Sequence, residues 1–113
     1  MKLELRVRHL TLDPAMRESC DRHLLHSLGR LEERIRRVQL WIEDLNGPRG
    51  GRDVRCCLRI CLRRGGALTV EAVDAVPQAA VGEVFDRART ALLRIVHRQR
   101  WAPMRRSFRL VLS

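Results

Sequence analysis

Apolar and charged residues alternate from the start of the chain. Leu3, Leu5 and Val7 share one side and Lys2, Glu4, Arg6 and Arg8 the other, the period-two pattern of a half-buried strand. "TLDPAMRES" then carries the signals of a helix start, with Asp13 placed to cap it, Pro14 at its first position and Glu18 close behind. From Met16 onward, Cys20, Leu24, Ser27, Leu28, Leu31 and Ile35 recur at helical spacing, while Arg17, Arg22, His26, Arg30 and Glu33 take the opposite side. The pattern predicts one long amphipathic helix carrying Gly29 in its interior, where glycine costs about 1 kcal/mol against alanine.

Two more alternating runs follow. In "RVQLWIEDL", Val38, Leu40 and Ile42 oppose Gln39, Trp41 and Glu43; in "DVRCCLRICLR", Val54, Cys56, Leu58, Ile60 and Leu62 oppose Arg55, Cys57, Arg59, Cys61 and Arg63. "RRGGAL" reads as a tight hairpin whose glycines take positive φ, leading into a fourth strand, "ALTVEAVD", with Leu68, Val70 and Ala72 inward. Pro77 opens a second helix, whose apolar side runs from Ala80 to Val96 and whose outer side carries Arg87, Arg94, His97 and Arg98; it ends near Trp101, before Pro103.

The order is strand, helix, three strands, helix: an α+β fold, β-α-β-β-β-α. A right-handed crossover sets the first strand parallel to the second and hairpins add the third and fourth, giving a four-stranded mixed sheet with both helices on its one apolar face. Residues 1–102 form one domain and residues 103–113 a C-terminal tail. In that tail Phe108, Leu110 and Leu112 alternate with arginine and valine, which leaves three readings: an extra C-terminal edge strand, a contact with a partner subunit, or a loose end. A homodimer through the tail or a sheet edge stays open on the same grounds.

Charge sharpens the picture. The chain has 113 residues, 45% hydrophobic and 32% charged, with a formal net charge of +10, and Lys2 is its only lysine. Arginine offers a planar fork suited to phosphate, so the bias points to a polyanion, RNA or DNA. After Asp86 no acid follows, whereas Arg87, Arg89, Arg94, Arg98, Arg100, Arg105, Arg106 and Arg109 do. The first helix mixes Glu18, Asp21, Glu32 and Glu33 among its basic residues, so the second helix ranks first for binding. No run is long and apolar enough to span a bilayer and "MKLELRVRHL" lacks a signal-peptide core, so a cytoplasmic protein with reduced cysteines and no membrane partner is expected.

The glycine-rich stretch "EDLNGPRGGRDVRC" poses a choice between a phosphate cradle and a turn. A phosphate loop needs a helix directly after the glycines to supply amides and dipole, and here a strand follows. The stretch is a wide hairpin loop displaying Arg49 and Arg52, either as RNA-backbone contacts or as a solvated turn. Trp41 falls on the outward side of the sheet, where it stacks on a base or lies covered by Arg6, Arg55 and Arg59; cover is the preferred reading, and the sheet is the second-choice RNA surface. Cys20, Cys56, Cys57 and Cys61 lack a paired C-x-x-C, and His23 with His26 fits a charged helix surface, so no metal is expected. Neither a Ser-His-Asp order nor H-E-x-x-H is present; no catalytic residue, cofactor or small-molecule substrate is expected.

At this point the sequence resembles the hibernation-promoting factor and ribosome-associated inhibitor A family, over about residues 3–101. The likeness is carried by "HLTLDPAMRESCDRHL", by "VQLWIEDLNGPRGGRDVRCCLRICLRRGGALTVEAVD" and by "QAAVGEVFDRARTALLRIVHR". The resemblance implies a fold akin to the double-stranded-RNA-binding domain and a non-enzymatic, stress-response role in ribosome hibernation: binding rRNA of the small ribosomal subunit and blocking the tRNA and mRNA sites. Its rRNA-binding positions match Arg22, His26 and Arg30 on the first helix and Arg87, Arg94, Arg98 and Arg100 on the second. The family often has an aromatic near Gln78 and an acid near Gly82, and its longer members carry a dimerisation domain for which this chain is too short, so a short form is expected. The alternative is a protein-interaction or self-association module of the same fold, not bound to ribosomes.

Overall fold

The computed structural model describes residues 1–45 and 53–101, with side chains as far as residue 98. Arg49, Arg52, the Arg100 side chain and the C-terminal tail lie outside the described residues. The elements are β1 (Leu3–Arg8), α1 (Pro14–Leu28), a 3₁₀ segment (Gly29–Arg34), β2 (Ile35–Asp44), β3 (Val54–Leu62), β4 (Ala67–Asp74) and α2 (Pro77–Trp101). The sheet order is β1-β2-β3-β4, with β1 parallel to β2 and the other pairs antiparallel. This is the α+β architecture expected from the alternation.

Local chemistry explains the boundaries. Asp13 is extended and its carboxylate accepts the Met16 N–H at 2.7 Å, satisfying one of the free amides at the start of α1. At the β3–β4 turn Gly65 and Gly66 adopt φ of 92° and 85°, and the Leu62 N–H donates to the Gly66 carbonyl at 2.8 Å, a left-handed geometry that a Cβ would strain. The Leu45 N–H donates to the Asp53 carbonyl at 2.8 Å and closes the root of the β2–β3 connection.

One boundary differs from the expectation. The helical spacing ran on through Leu31 to Ile35, yet α1 stops at Leu28, Gly29–Arg34 tightens into 3₁₀ geometry and Ile35 is already in β2. A register irregularity between Ile35 and Arg37 is the cause. It lets Ile35 and Val38 both face the core although they stand three apart, the spacing of a helix rather than a regular strand.

Apolar residues from every element meet beneath the helices, and Phe85, Leu28, Leu40, Ile42, Leu58, Ile60 and Leu92 are fully buried. Each contributes roughly 1.5–3 kcal/mol of burial. The buried cluster includes small residues, Ala80 and Ala88 on α2 and Cys56 and Ala72 on the sheet, and α2 packs over β3 and β4. Cys20 and Cys56 are wholly buried, and burial pushes their thiols up to about 11 and about 12 respectively, so they act as small core hydrophobes. Cys57 and Cys61 lie half-buried, and all four thiols are free. Among the described residues no helix is long and apolar enough to cross a membrane.

Candidate nucleic-acid interface

Three contacts fix how α1 lies against α2. The Ser19 hydroxyl donates to the Gln78 side-chain oxygen at 2.8 Å. The His23 ring stacks on Phe85, centroids 5.9 Å apart and planes within 11°. Gly82 leaves room for that ring, since a Cβ there would stand 3.5 Å from His23 Cε1. The pairs 19–78 and 23–82 advance together along both chains, so the helices run side by side in the same direction. Gln78 and Gly82, where the resembled family differs, are thus both part of the helix-helix seam.

On α1, Arg22 and His26 are one turn apart on the exposed rim of this seam. Both stay exposed, and neither makes an ion pair among the described residues. Arg30 lies just beyond, in the 3₁₀ segment rather than on the helix, so it continues the stripe with a changed angle. Arg17, on the sheet side, is committed elsewhere: it donates to the Leu3 carbonyl at 3.0 Å and to Asp21, tying α1 to β1.

The arginines of α2 divide between two flanks. Arg87 donates to the Glu71 carbonyl on β4 at 2.6 Å and pairs with Glu83, so its flank overlooks the edge of the sheet. Arg94 and Arg98 follow at seven and eleven residues, the same flank by helical periodicity, and are exposed without a carboxylate partner. Arg89 lies about 160° around the helix from Arg87. It stands seven residues after Gly82, two turns along the side that meets α1, and is exposed and unpaired.

Helical spacing thus sets Arg22, His26 and Arg89 along the α1/α2 seam and Arg94 and Arg98 along the far flank of α2, while Arg87 is held against β4. Arg89 was not among the residues expected at the site. The signal for it was present in the sequence as a seven-residue step from a glycine within a helix, but it is readable only once Gly82 is known to be the point of closest approach. Among the described residues no group of three His, Cys, Asp or Glu side chains is arranged to hold a metal ion.

A sheet in the order 1-2-3-4 with one parallel pair and two parallel helices on one face defines a recognisable class. Its members among solved structures include the N-terminal domain of Protein Y from Thermus thermophilus, similar with a TM-score of 0.70 and 23% identity over 84% of this chain and 99% of that one. A ribosomal subunit interface protein from Coxiella burnetii is similar with a TM-score of 0.74 and 14% identity, over 86% of this chain and 99% of its own. No protein-family model and no curated protein matches the sequence. At these identities the likeness establishes the fold.

Proposed function

We propose that the protein is a cytoplasmic ribosome-associated factor that binds rRNA of the small subunit through the α1/α2 face and silences translation by occupying the tRNA and mRNA sites. What supports this reading is that Arg22, His26 and Arg89 are exposed, form no ion pair among the described residues and fall by helical spacing along the seam between two parallel helices, on a fold shared with a ribosomal subunit interface protein. Guanidinium groups without carboxylate partners remain available to phosphate, and a helix pair presents them at fixed spacing to a folded RNA rather than to a base sequence. Arg94 and Arg98 extend the contact over the far flank of α2. The role is steric, with no catalytic step.

Binding to purified small subunits at rising salt tests the reading. Phosphate-dominated association through about three contacts weakens on the order of 30-fold between 50 and 200 mM monovalent salt. Affinity indifferent to salt, or equal affinity for bulk duplex RNA, would count against it.

A further inference from the structure

The open face of the sheet, opposite the helices, carries arginine as well, and there most of it is neutralised. Arg37 pairs with Glu4, Arg55 with Glu71 at 2.6 Å, and Arg8 with Glu43 at 3.8 Å. Among the described residues the guanidinium groups of Arg6 and Arg59 make no ion pair or hydrogen bond; Arg6 acts on Glu4 only through space. Strand register places these two around Trp41. Arg6 is its direct neighbour on β1, and Arg59, opposite Gln39 on β3, stands diagonally on the other side.

Trp41 itself is half-buried and makes no ring contact among the described residues. Arginine cover was the reading preferred from the sequence, but Arg55 turns to Glu71 and leaves the indole lining a shallow, open recess of about 210 Å³ with Glu43, Arg55 and Cys57. The recess thus holds a half-buried aromatic side chain and a carboxylate, and strand register sets beside it two guanidinium groups without a partner among the described residues.

We propose that this face binds a single-stranded nucleic-acid segment, one base stacked on Trp41 and the adjoining phosphates held by Arg6 and Arg59. The base must be unpaired, because a base within a duplex already has both faces stacked and its edge occupied. Glu43, 3.8 Å from Arg8, also lines the recess and is placed to accept hydrogen bonds from the amino and ring N–H groups of a base, donors that the carboxylates of an acidic peptide do not offer. A second copy docking face to face would set Trp41 and the same unpaired arginines against their like. This site lies on the face opposite the α1/α2 groove and does not rest on the small-subunit reading.

The test uses the full chain with Trp101→Phe, so that Trp41 is the remaining fluorophore, and an unstructured oligoribonucleotide of about ten nucleotides as the probe. The oligonucleotide quenches Trp41 fluorescence, and the duplex of the same sequence does not. Trp41→Leu, read by anisotropy of the labelled oligonucleotide, weakens binding on the order of 10-fold, and Arg6→Glu with Arg59→Glu weakens it at least as much. Arg22→Glu with Arg89→Glu leaves oligonucleotide binding within about twofold while lowering small-subunit affinity, which separates failure of this proposal from failure of the helix-face reading. Absence of quenching, equal quenching by duplex, full competition by an acidic peptide, or quenching that follows protein self-association without RNA would each overturn it. Should Trp41→Leu fail to fold by circular dichroism, Trp41→Phe replaces it: a smaller aromatic retains binding but loses the indole signal, whereas unchanged affinity in Arg6→Glu with Arg59→Glu sinks the proposal.

Discussion

On the open face of the sheet Arg8, Arg37 and Arg55 each meet a glutamate on the adjacent strand, whereas on the helix face Arg22, Arg89, Arg94 and Arg98 meet no carboxylate among the described residues. Both faces are arginine-rich; what separates them is the geometry that decides whether a partner is within reach. Across strands, a side chain has neighbours directly opposite and on the diagonal, so a glutamate far away in sequence neutralises it. Along a helix the partner must stand three or four residues away, and no acid fills that place for Arg94 or Arg98, while Glu18 and Asp86, so placed for Arg22 and Arg89, form no ion pair with them among the described residues. Glu83 does fill it for Arg87, and that arginine is the one drawn back to the sheet. Local charge density is therefore a poor guide to free charge, and pairing geometry is a better one.

The strongest way to break this comparison is charge reversal on each face in turn. Arg22→Glu with Arg89→Glu is expected to lower small-subunit affinity on the order of 100-fold and to flatten its salt dependence. Arg8→Glu with Arg37→Glu on the sheet, the same change in net charge, should change it by less than about threefold. Equal losses measured by filtration binding would mean that net charge alone drives association.

Thiol labelling sharpens the contrast next. Cys20 and Cys56 are wholly buried with thiols pushed up to about 11 and about 12, and they should resist a disulfide reagent near pH 8 by more than about tenfold relative to the half-buried Cys61 on the sheet face. If the helices face the small subunit, Cys61 keeps its labelling rate in the complex. Protection of Cys61 on binding, followed by mass spectrometry, would instead place the sheet against the subunit.

Two glycines give a smaller effect of opposite sign. Gly82→Ala puts a methyl group in ordinary contact with His23 and removes the helical penalty of glycine, so it should stabilise the fold by about 0.5–1 kcal/mol. Gly66→Ala, at φ of 85°, should destabilise it by roughly 1 kcal/mol. Thermal melts decide both, and a destabilising Gly82→Ala would show that the helix-helix seam cannot accept even a methyl group.

The smallest effect is electrostatic. The hydrogen bond from Arg37, aided by its charge, holds the Glu4 carboxyl below the usual carboxylate value. A depressed folded-state value means that the pair's stabilisation is present above the unfolded-state value and lost as pH falls through the folded one. Glu4→Gln should therefore lower the melting temperature slightly at pH 7, and the difference should vanish under acid conditions below the carboxylate range. A difference that persists there would point to packing rather than charge.

The strands were legible because half-buried antiparallel pairing writes a strict period of two, and both prolines marked true helix starts. The end of α1 was not. Ile35 and Val38 share a face across an irregular register, so the start of β2 imitates helical spacing, and only its pairing with Leu62 and Ile60 reveals a strand. The site was half legible for a related reason. Arg22 and His26 follow from spacing on one helix, but which flank of α2 faces α1 depends on the Gly82–His23 and Gln78–Ser19 contacts, which couple residues 59 positions apart. Arg87 was nominated for its position on the helix exterior, where nothing in the local sequence announces the Glu71 carbonyl.

Because α1 and α2 run the same way, their amide dipoles reinforce rather than cancel. Each contributes about half a positive charge at one end of the pair and half a negative charge at the other. Asp13 answers the first at α1, and His26 in the last turn of α1 and Arg98 near the end of α2 answer the second. Arg98 thus steadies the unbound molecule as well: exchanging it for an acid would loosen the final turns of its helix before any partner is met.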